Sequence, residues 1–252
     1  MLTNVAAYRF VAVEDPPALA RQVRGWAQAG RLRGTVLVAG EGINLFLAGA
    51  AADITTFLAR LGDDPRFSAL PVKFSYSRAQ PFARLKVKVK PEIIGFRRAG
   101  TAPLGRRAPA VAAPDLARWI GQGTDTAGRR LVLLDTRNRE EVGHGSFAGA
   151  LTLPIDNFGE LPEALAPHRE ALADATVVSF CTGGIRCEKA ALWMHDAGMP
   201  HVLQLDGGIL GYFEQVGGYG YEGDCFVFDG RVALDPALRP RVDGSENLKD
   251  AA

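Results

Sequence analysis

The sequence predicts a mixed α/β chain of two domains: a β-α-β-β-α-β unit, then a unit built on a parallel sheet. Three observations predict it. Strand-like and helix-like stretches alternate through residues 1–98. The second half sets the apolar runs "RRLVLLDTRN", "ATVVSFC" and "HVLQLDGG" between helical stretches, as strands buried on both faces require. Between the halves lies "AGTAPLGRRAPAVAAP", residues 99–114, where small residues and prolines dominate; it reads as a linker.

The elements follow in order. "NVAAYRFVAV" reads as a strand. Asp15 offers an N-cap, Pro16 and Pro17 suit a helix entry, and Gly30 ends the helix. Leu19, Val23 and Trp26 recur at helical spacing between them. "GTVLVAG" and "NLFLAG" are strands joined by "EGIN", Glu41 to Asn44, a tight polar turn. "AADITTFLARLG" is a helix with Ile54, Phe57, Leu58 and Leu61 on one face, and "LPVKFSYS" and "FARLKVKVK" return to strands. This order resembles a ferredoxin-like sandwich over residues 1–98. The second domain, residues 115–225, begins with the helix "DLARWIGQG". "ELPEALAPHREALAD" is helical with a break at Pro167, and "RCEKAALWMHDAG" is a helix closed by Gly198. Residues 226–252 read as a strand followed by a disordered end, "DPALRPRVDGSENLKDAA".

Composition narrows the function classes. With 47% hydrophobic residues the chain can bury a sizeable core, and a net charge of +1 says nothing about partners. Three cysteines argue against a secreted disulfide framework and for a reducing compartment, the cytoplasm. Four histidines and no close cysteine pair give no expectation of a metal site. The N-terminus shows no signal-peptide pattern, and no apolar run reaches the ~18 residues of a membrane span.

The near-neutral total hides a segregated charge. From Val72 to Ala108 there are ten lysines and arginines against one acid, Glu92. Lys73, Arg84, Lys86, Lys88, Lys90, Arg97 and Arg98 are the candidate phosphate contacts within it. Strand alternation sends Lys86, Lys88 and Lys90 to one face and Leu85, Val87 and Val89 to the core. Phe82 and Phe96 are possible stacking surfaces. A one-faced basic stripe is the footprint of a nucleic-acid backbone binder; a solvated sheet edge is the plainer reading.

"VVSFCTGGIRCEKAA" is the candidate reactive loop. Cys181 ends a strand and Arg186 opens a helix, which places the sulfur at the C-terminal edge of a parallel sheet. Thr182, Gly183, Gly184 and Ile185 lie between them and can turn their N–H groups inward as an anion nest above a helix N-terminus. Such a field stabilises a thiolate, and Arg186 adds charge or orients a substrate oxyanion. Cys187 sits in the helix with its side chain expected to point away from the nest, as packing or as a secondary, resolving thiol. Cys225 reads as a core residue. Cysteine phosphatases place one residue more between cysteine and arginine, so this loop is too short for a phosphoryl group.

The four-residue loop resembles that of rhodanese domains, which hold a persulfide sulfur. "LLDTRNREEV", with Asp135 and Arg137, resembles the strand and Asp-x-Arg of that family; "GSFAGALTLP" resembles its next stretch, with Ser146 where histidine is usual. Asp135, Arg137, His144 and Ser146 read as structural. "CTGGIRCEKA", "EGIN" upstream and "GDCFVFDGRV" downstream, in this order over both domains, are similar to the oxygen-dependent tRNA uridine hydroxylase family. The string usually continues from "EGIN" with Gly-Thr where Leu45 and Phe46 stand here, and Tyr221 replaces a common tryptophan.

The resemblance implies hydroxylation of the wobble uridine at position 34 of tRNA to 5-hydroxyuridine. It implies molecular oxygen as cosubstrate, Cys181 as the active-site cysteine and Arg186 as its loop partner. The expected partner is the anticodon stem-loop of tRNA, with neither DNA nor a membrane involved. No flavin or nicotinamide fingerprint stands between a strand and a helix, so no organic cofactor is expected. Two rival readings stay open: a sulfurtransferase moving persulfide sulfur to a small-molecule or tRNA acceptor, and a non-catalytic RNA-binding module.

Overall fold

A computed structural model describes residues 1–243. The chain forms two compact units, Met1–Gly95 and Phe96–Val227. The C-terminal segment is shared: Phe228–Val232 and, among the described residues, 239–243 belong to the first unit, Ala233–Leu238 to the second.

The first unit runs β1 (Leu2–Phe10), α1 (Pro16–Ala29), β2 (Arg33–Ala39), β3 (Gly42–Gly49), α2 (Ala51–Gly62), β4 (Val72–Ser77) and β5 (Leu85–Val89). The sheet order is β4-β1-β3-β2-β5. Its first four strands are the ferredoxin-like arrangement, and β5 is added parallel to β2 at the edge. Asp15 caps α1, its side chain accepting from the Ala18 N–H at 2.8 Å. Leu19, Val23 and Ala27 of α1 and Ile54, Phe57 and Leu61 of α2 pack onto Val5, Val36, Ile43 and Leu45 of the sheet.

"EGIN" differs from the expected turn. Gly42 to Asn44 already belong to β3, and Glu41 and Asn44 are buried. Glu41 Oε1 accepts from the Ile93 N–H at 2.8 Å, and Asn44 Nδ2 donates to the Ile93 carbonyl at 3.1 Å. The two polar side chains satisfy both backbone polar groups of the buried Ile93, as burial demands.

The second unit contains β6 (Ala110–Val111), α3 (Ala113–Gln122), β7 (Leu131–Asp135), α4 (Arg139–His144), β8 (Gly145–Phe147) and β9 (Leu151–Thr152). α5 (Leu161–Leu165), β10 (Thr176–Phe180), α6 (Ile185–Asp196), β11 (Val202–Leu205) and α7 (Gly208–Val216) follow, then β12 (Tyr221–Gly223), β13 (Cys225–Phe226) and β14 (Ala233–Leu234). The main sheet, β6-β11-β10-β7-β9, is parallel throughout.

Three expectations are corrected here. Residues 99–114 are not a free linker. Ala110–Val111 pairs with β11, and Thr101, Ala108, Val111 and Ala113 are buried. Arg106 pairs with Asp196 at 2.5 Å, and Arg107 with Asp206 at 2.8 Å and Glu188 at 3.0 Å, so charge ties the stretch to its own unit. The helix breaks at Pro167 as expected, but its second half is two 3₁₀ turns, Ala166–His168 and Glu170–Leu172, rather than α-helix; Pro167 lacks the N–H group a continuous helix needs. The expected disordered end is bonded up to Asp243, whose Oδ1 accepts from the Arg78 N–H at 2.5 Å; residues 244–252 lie outside the described residues.

Candidate active site

Cys181 follows β10 directly, at the C-terminal edge of the parallel sheet. The chain then turns into α6, with Gly184 as N-cap at φ 98°. Glycine adopts that left-handed backbone without steric cost. The turn aims the Gly184 N–H at Cys181 Sγ, 3.2 Å away, and the Arg186 N–H also donates to the sulfur. Cys181 has 0% of its surface exposed. Burial pushes its thiol up, but a hydrogen bond from Cys187, the Arg186 guanidinium and the two N–H groups outweigh that and hold it at about 5.

Arg186 adds positive charge beside Cys181, one of the two roles expected of it. Its Nη1 and Nη2 each donate to Glu141 at 2.6 Å, in a bidentate ion pair. Glu141 is wholly buried at the third position of α4 and needs a counter-ion there. It also accepts from the Thr182 hydroxyl at 3.2 Å and from the Asn138 N–H at 3.2 Å. Burial pushes the Glu141 carboxyl up; Arg186, then Arg137, overcome this and hold it below the usual carboxylate range. Sequence reading passes over Glu141. Its signal is present, because Asn138 and Glu141 form a capping box, spaced as the motif requires.

Cys187 corrects one expectation. It is packed, with 0% exposure, but against Cys181 rather than away from it. Burial raises its thiol well above the usual value, and the charge on Cys181 adds to the rise. Thr136 Oγ1 lies 3.7 Å from its sulfur. Cys225 is buried in β13, where burial pushes its thiol up to about 12; the Thr182 side chain hydrogen-bonds it.

The surroundings hold the loop. Asp135 and Arg137 are a fully buried ion pair at 2.7 Å, and Arg137 Nη2 donates to the Gly145 carbonyl at 2.6 Å. Ser146 donates to Asp135 at 2.7 Å, so the residue that departs from the rhodanese pattern keeps a polar role. The Gly207–Gly208 turn covers the loop: the Ile209 N–H donates to the Cys181 carbonyl at 2.9 Å and the Leu210 N–H to the Thr182 carbonyl at 3.0 Å. A cavity of about 490 Å³ lined by Arg169, Glu170 and His201 lies at the opposite edge, where β10 and β11 begin.

The loop thus brings together Cys181, Thr182, Gly184, Arg186 and Cys187; Gly183 forms the turn, and Ile185 is buried at the helix start. The basic candidates separate. Lys73 is half-buried on β4; Arg84, Lys86, Lys88 and Lys90 are exposed on and around β5, in the first unit. Arg97 and Arg98 belong to the second unit, where Arg98 pairs with Glu163. Val87 is buried as expected, but Val89 is 47% exposed at the strand end. Phe96 offers no stacking surface, because it is buried against Phe158 at 4.5 Å and Trp193 at 6.3 Å.

Comparison with known proteins places this geometry. A UPF0176 acylphosphatase like domain matches residues 2–93, and a rhodanese-like domain matches residues 113–215. A tRNA uridine(34) hydroxylase of Xanthomonas campestris pv. campestris (strain 8004) is 67% identical over 245 residues, covering 97% of each chain. One from Xylella fastidiosa (strain M23) is 60% identical over 243 residues, covering 96% of this chain and 95% of the relative. The chain belongs to the tRNA uridine(34) hydroxylase family. Its membership runs through both units, so the basic strand and the cysteine loop are parts of one family architecture. In this family member no helix among the described residues is long and apolar enough to cross a membrane, and no cluster of three or more metal-binding side chains occurs among them.

Proposed function

We propose that the chain hydroxylates carbon 5 of the wobble uridine, position 34, of tRNA in the cytoplasm, using molecular oxygen and acting through Cys181. Full-length identity of 67% to a tRNA uridine(34) hydroxylase carries this reading. The buried thiolate supplies a chemical rationale. A thiolate, or a persulfide on it, adds to the uracil ring and makes carbon 5 electron-rich toward oxygen. The Glu141–Arg186 pair positions the helix start whose charge keeps Cys181 ionised. Cys181 is fully covered, so the base reaches it when the turn at Gly207–Gly208 or the loop itself gives way.

The anticodon loop is single-stranded, so the base can splay out without a duplex being opened. Arg84, Lys86, Lys88 and Lys90 supply the phosphate contacts on the anticodon stem, with Arg97, also exposed, a further candidate in the second unit; Lys73 and Arg98 are weaker candidates, the one half-buried and the other paired with Glu163. A sulfurtransferase is the second reading, because the short loop and ionised thiol fit a persulfide equally well. Nucleoside analysis of tRNA from cells with and without the gene, grown in air and without oxygen, separates them. Loss of 5-hydroxyuridine on deletion, and its dependence on air, supports hydroxylation. Loss of a thiolated nucleoside instead favours sulfur transfer.

A further inference from the structure

The chemistry above leaves Cys187 without a task. Cys181 and Cys187 flank a tight turn, and Gly184 joins them from inside it. Its N–H donates to Cys181 Sγ at 3.2 Å, and its carbonyl accepts from the Cys187 N–H at 3.0 Å. Thr136 fixes the pair from the other side. Its hydroxyl donates to the carbonyl of Phe180, the residue before Cys181, at 2.9 Å and lies 3.7 Å from Cys187 Sγ. Thr136 thus ties the strand end that carries Cys181 to the Cys187 sulfur, and both cysteines have 0% exposure. Cys225 makes its hydrogen bond to Thr182 instead.

We propose that Cys181 and Cys187 are a reversible dithiol–disulfide couple that supplies the two electrons of uridine hydroxylation. The proposal rests on the hydroxylase reading above. Dioxygen places one oxygen atom on carbon 5 and the other in water, which takes two electrons and two protons. The Cys181 thiolate adds at carbon 6, and oxygen with a proton adds at carbon 5 to give a hydroperoxide. Loss of the carbon 5 hydrogen as a proton restores the ring double bond, breaks the carbon–sulfur bond and frees the Cys181 thiolate. That thiolate takes the distal oxygen of the hydroperoxide, which breaks the O–O bond, leaves 5-hydroxyuridine and makes a sulfenic acid. The Cys187 thiol then attacks that sulfur; an S–S bond forms and water leaves. One uridine, one dioxygen and two thiols yield one 5-hydroxyuridine, one disulfide and one water. The split between a low thiol and a raised one suits the step, since the oxidised sulfur is the ionised one and its partner keeps its proton until it attacks. An external thiol restores the couple by exchange for the next turnover.

A single-turnover experiment on the wild-type chain tests this. The protein is fully reduced, freed of external thiol and mixed in air with tRNA whose wobble uridine is unmodified. The reaction is quenched with an alkylating agent; nucleosides and cysteine peptides are then counted by mass spectrometry. The expected result is at most one 5-hydroxyuridine per chain and one Cys181–Cys187 disulfide per hydroxylated base, with Cys225 alkylated throughout. Excess dithiothreitol raises the yield above one per chain. Hydroxylation that leaves both Cys181 and Cys187 alkylated overturns the proposal while the hydroxylase reading stands. Absence of hydroxylation even with excess dithiothreitol overturns the hydroxylase reading and the proposal with it.

Discussion

Cys181 differs from Cys187 and Cys225 in what faces its sulfur. All three are buried, and burial raises a thiol. At Cys181 two backbone N–H groups, a neighbouring thiol and the Arg186 charge reverse the sign. The lowered value means the thiolate persists at neutral pH and is lost as pH falls through about 5. The thiolate ultraviolet absorbance that separates wild type from Cys181→Ser is therefore expected to titrate near that pH; a midpoint near the ordinary 9.0 contradicts it. Glu141 acts one step away. Glu141→Gln removes the bidentate partner of the buried Arg186 guanidinium, leaving it only the Cys181 thiolate, and is expected to cost about 3–5 kcal/mol in urea unfolding. A loss below ~1 kcal/mol is what a solvent-exposed pair gives, and would show that water reaches this one.

At the scale of elements, the loop is held as much by the turn above it as by its own glycines. Gly208 has φ 62°, and a Cβ there would stand 2.5 Å from the Cys181 carbonyl oxygen and 2.6 Å from the Gly184 nitrogen. A Cβ on Gly183 meets nothing within 4 Å. Gly208→Ala should therefore destabilise by more than the ~1–2 kcal/mol of a left-handed backbone alone and displace the loop, whereas Gly183→Ala stays within about 1 kcal/mol of wild type. Urea unfolding of the two variants checks the contrast; equal losses contradict it. The long elements were legible because their apolar spacing repeats over several turns or rungs. The strands at Ala110–Val111 and Leu151–Thr152 were not: two residues carry no periodicity, and pairing with distant β11 and β7 makes them strands. The Glu141–Arg186 pair spans 45 positions, and nothing local marks its partner. Cys187 was misdirected by helical geometry alone, since the turn that returns it to Cys181 depends on the φ of Gly184.

For the whole molecule, the near-neutral net charge conceals a basic strand in one unit and an activated thiol in the other. The order of the halves was legible from the switch between strand and helix patterns. The limits of the connection were not, because its small residues and prolines suit a linker as well as a close-packed crossing; Phe96 and Ala108 are buried by partners far along the chain. The exposed lysines of β5 and its end carry the tRNA reading. Reversing Lys86, Lys88 and Lys90 to glutamate should weaken tRNA binding at least tenfold and reduce the salt slope by about 2–3. Unchanged binding in a filter or fluorescence assay moves the tRNA contact elsewhere.

The central claim is that the chain oxidises a tRNA base through Cys181. Nucleoside mass spectrometry of tRNA from cells in which Cys181→Ser replaces the wild-type gene tests it most directly, with immunoblotting to confirm that the variant accumulates. The account predicts loss of wobble 5-hydroxyuridine to the level of a gene deletion. Wild-type levels of 5-hydroxyuridine in those cells would contradict it.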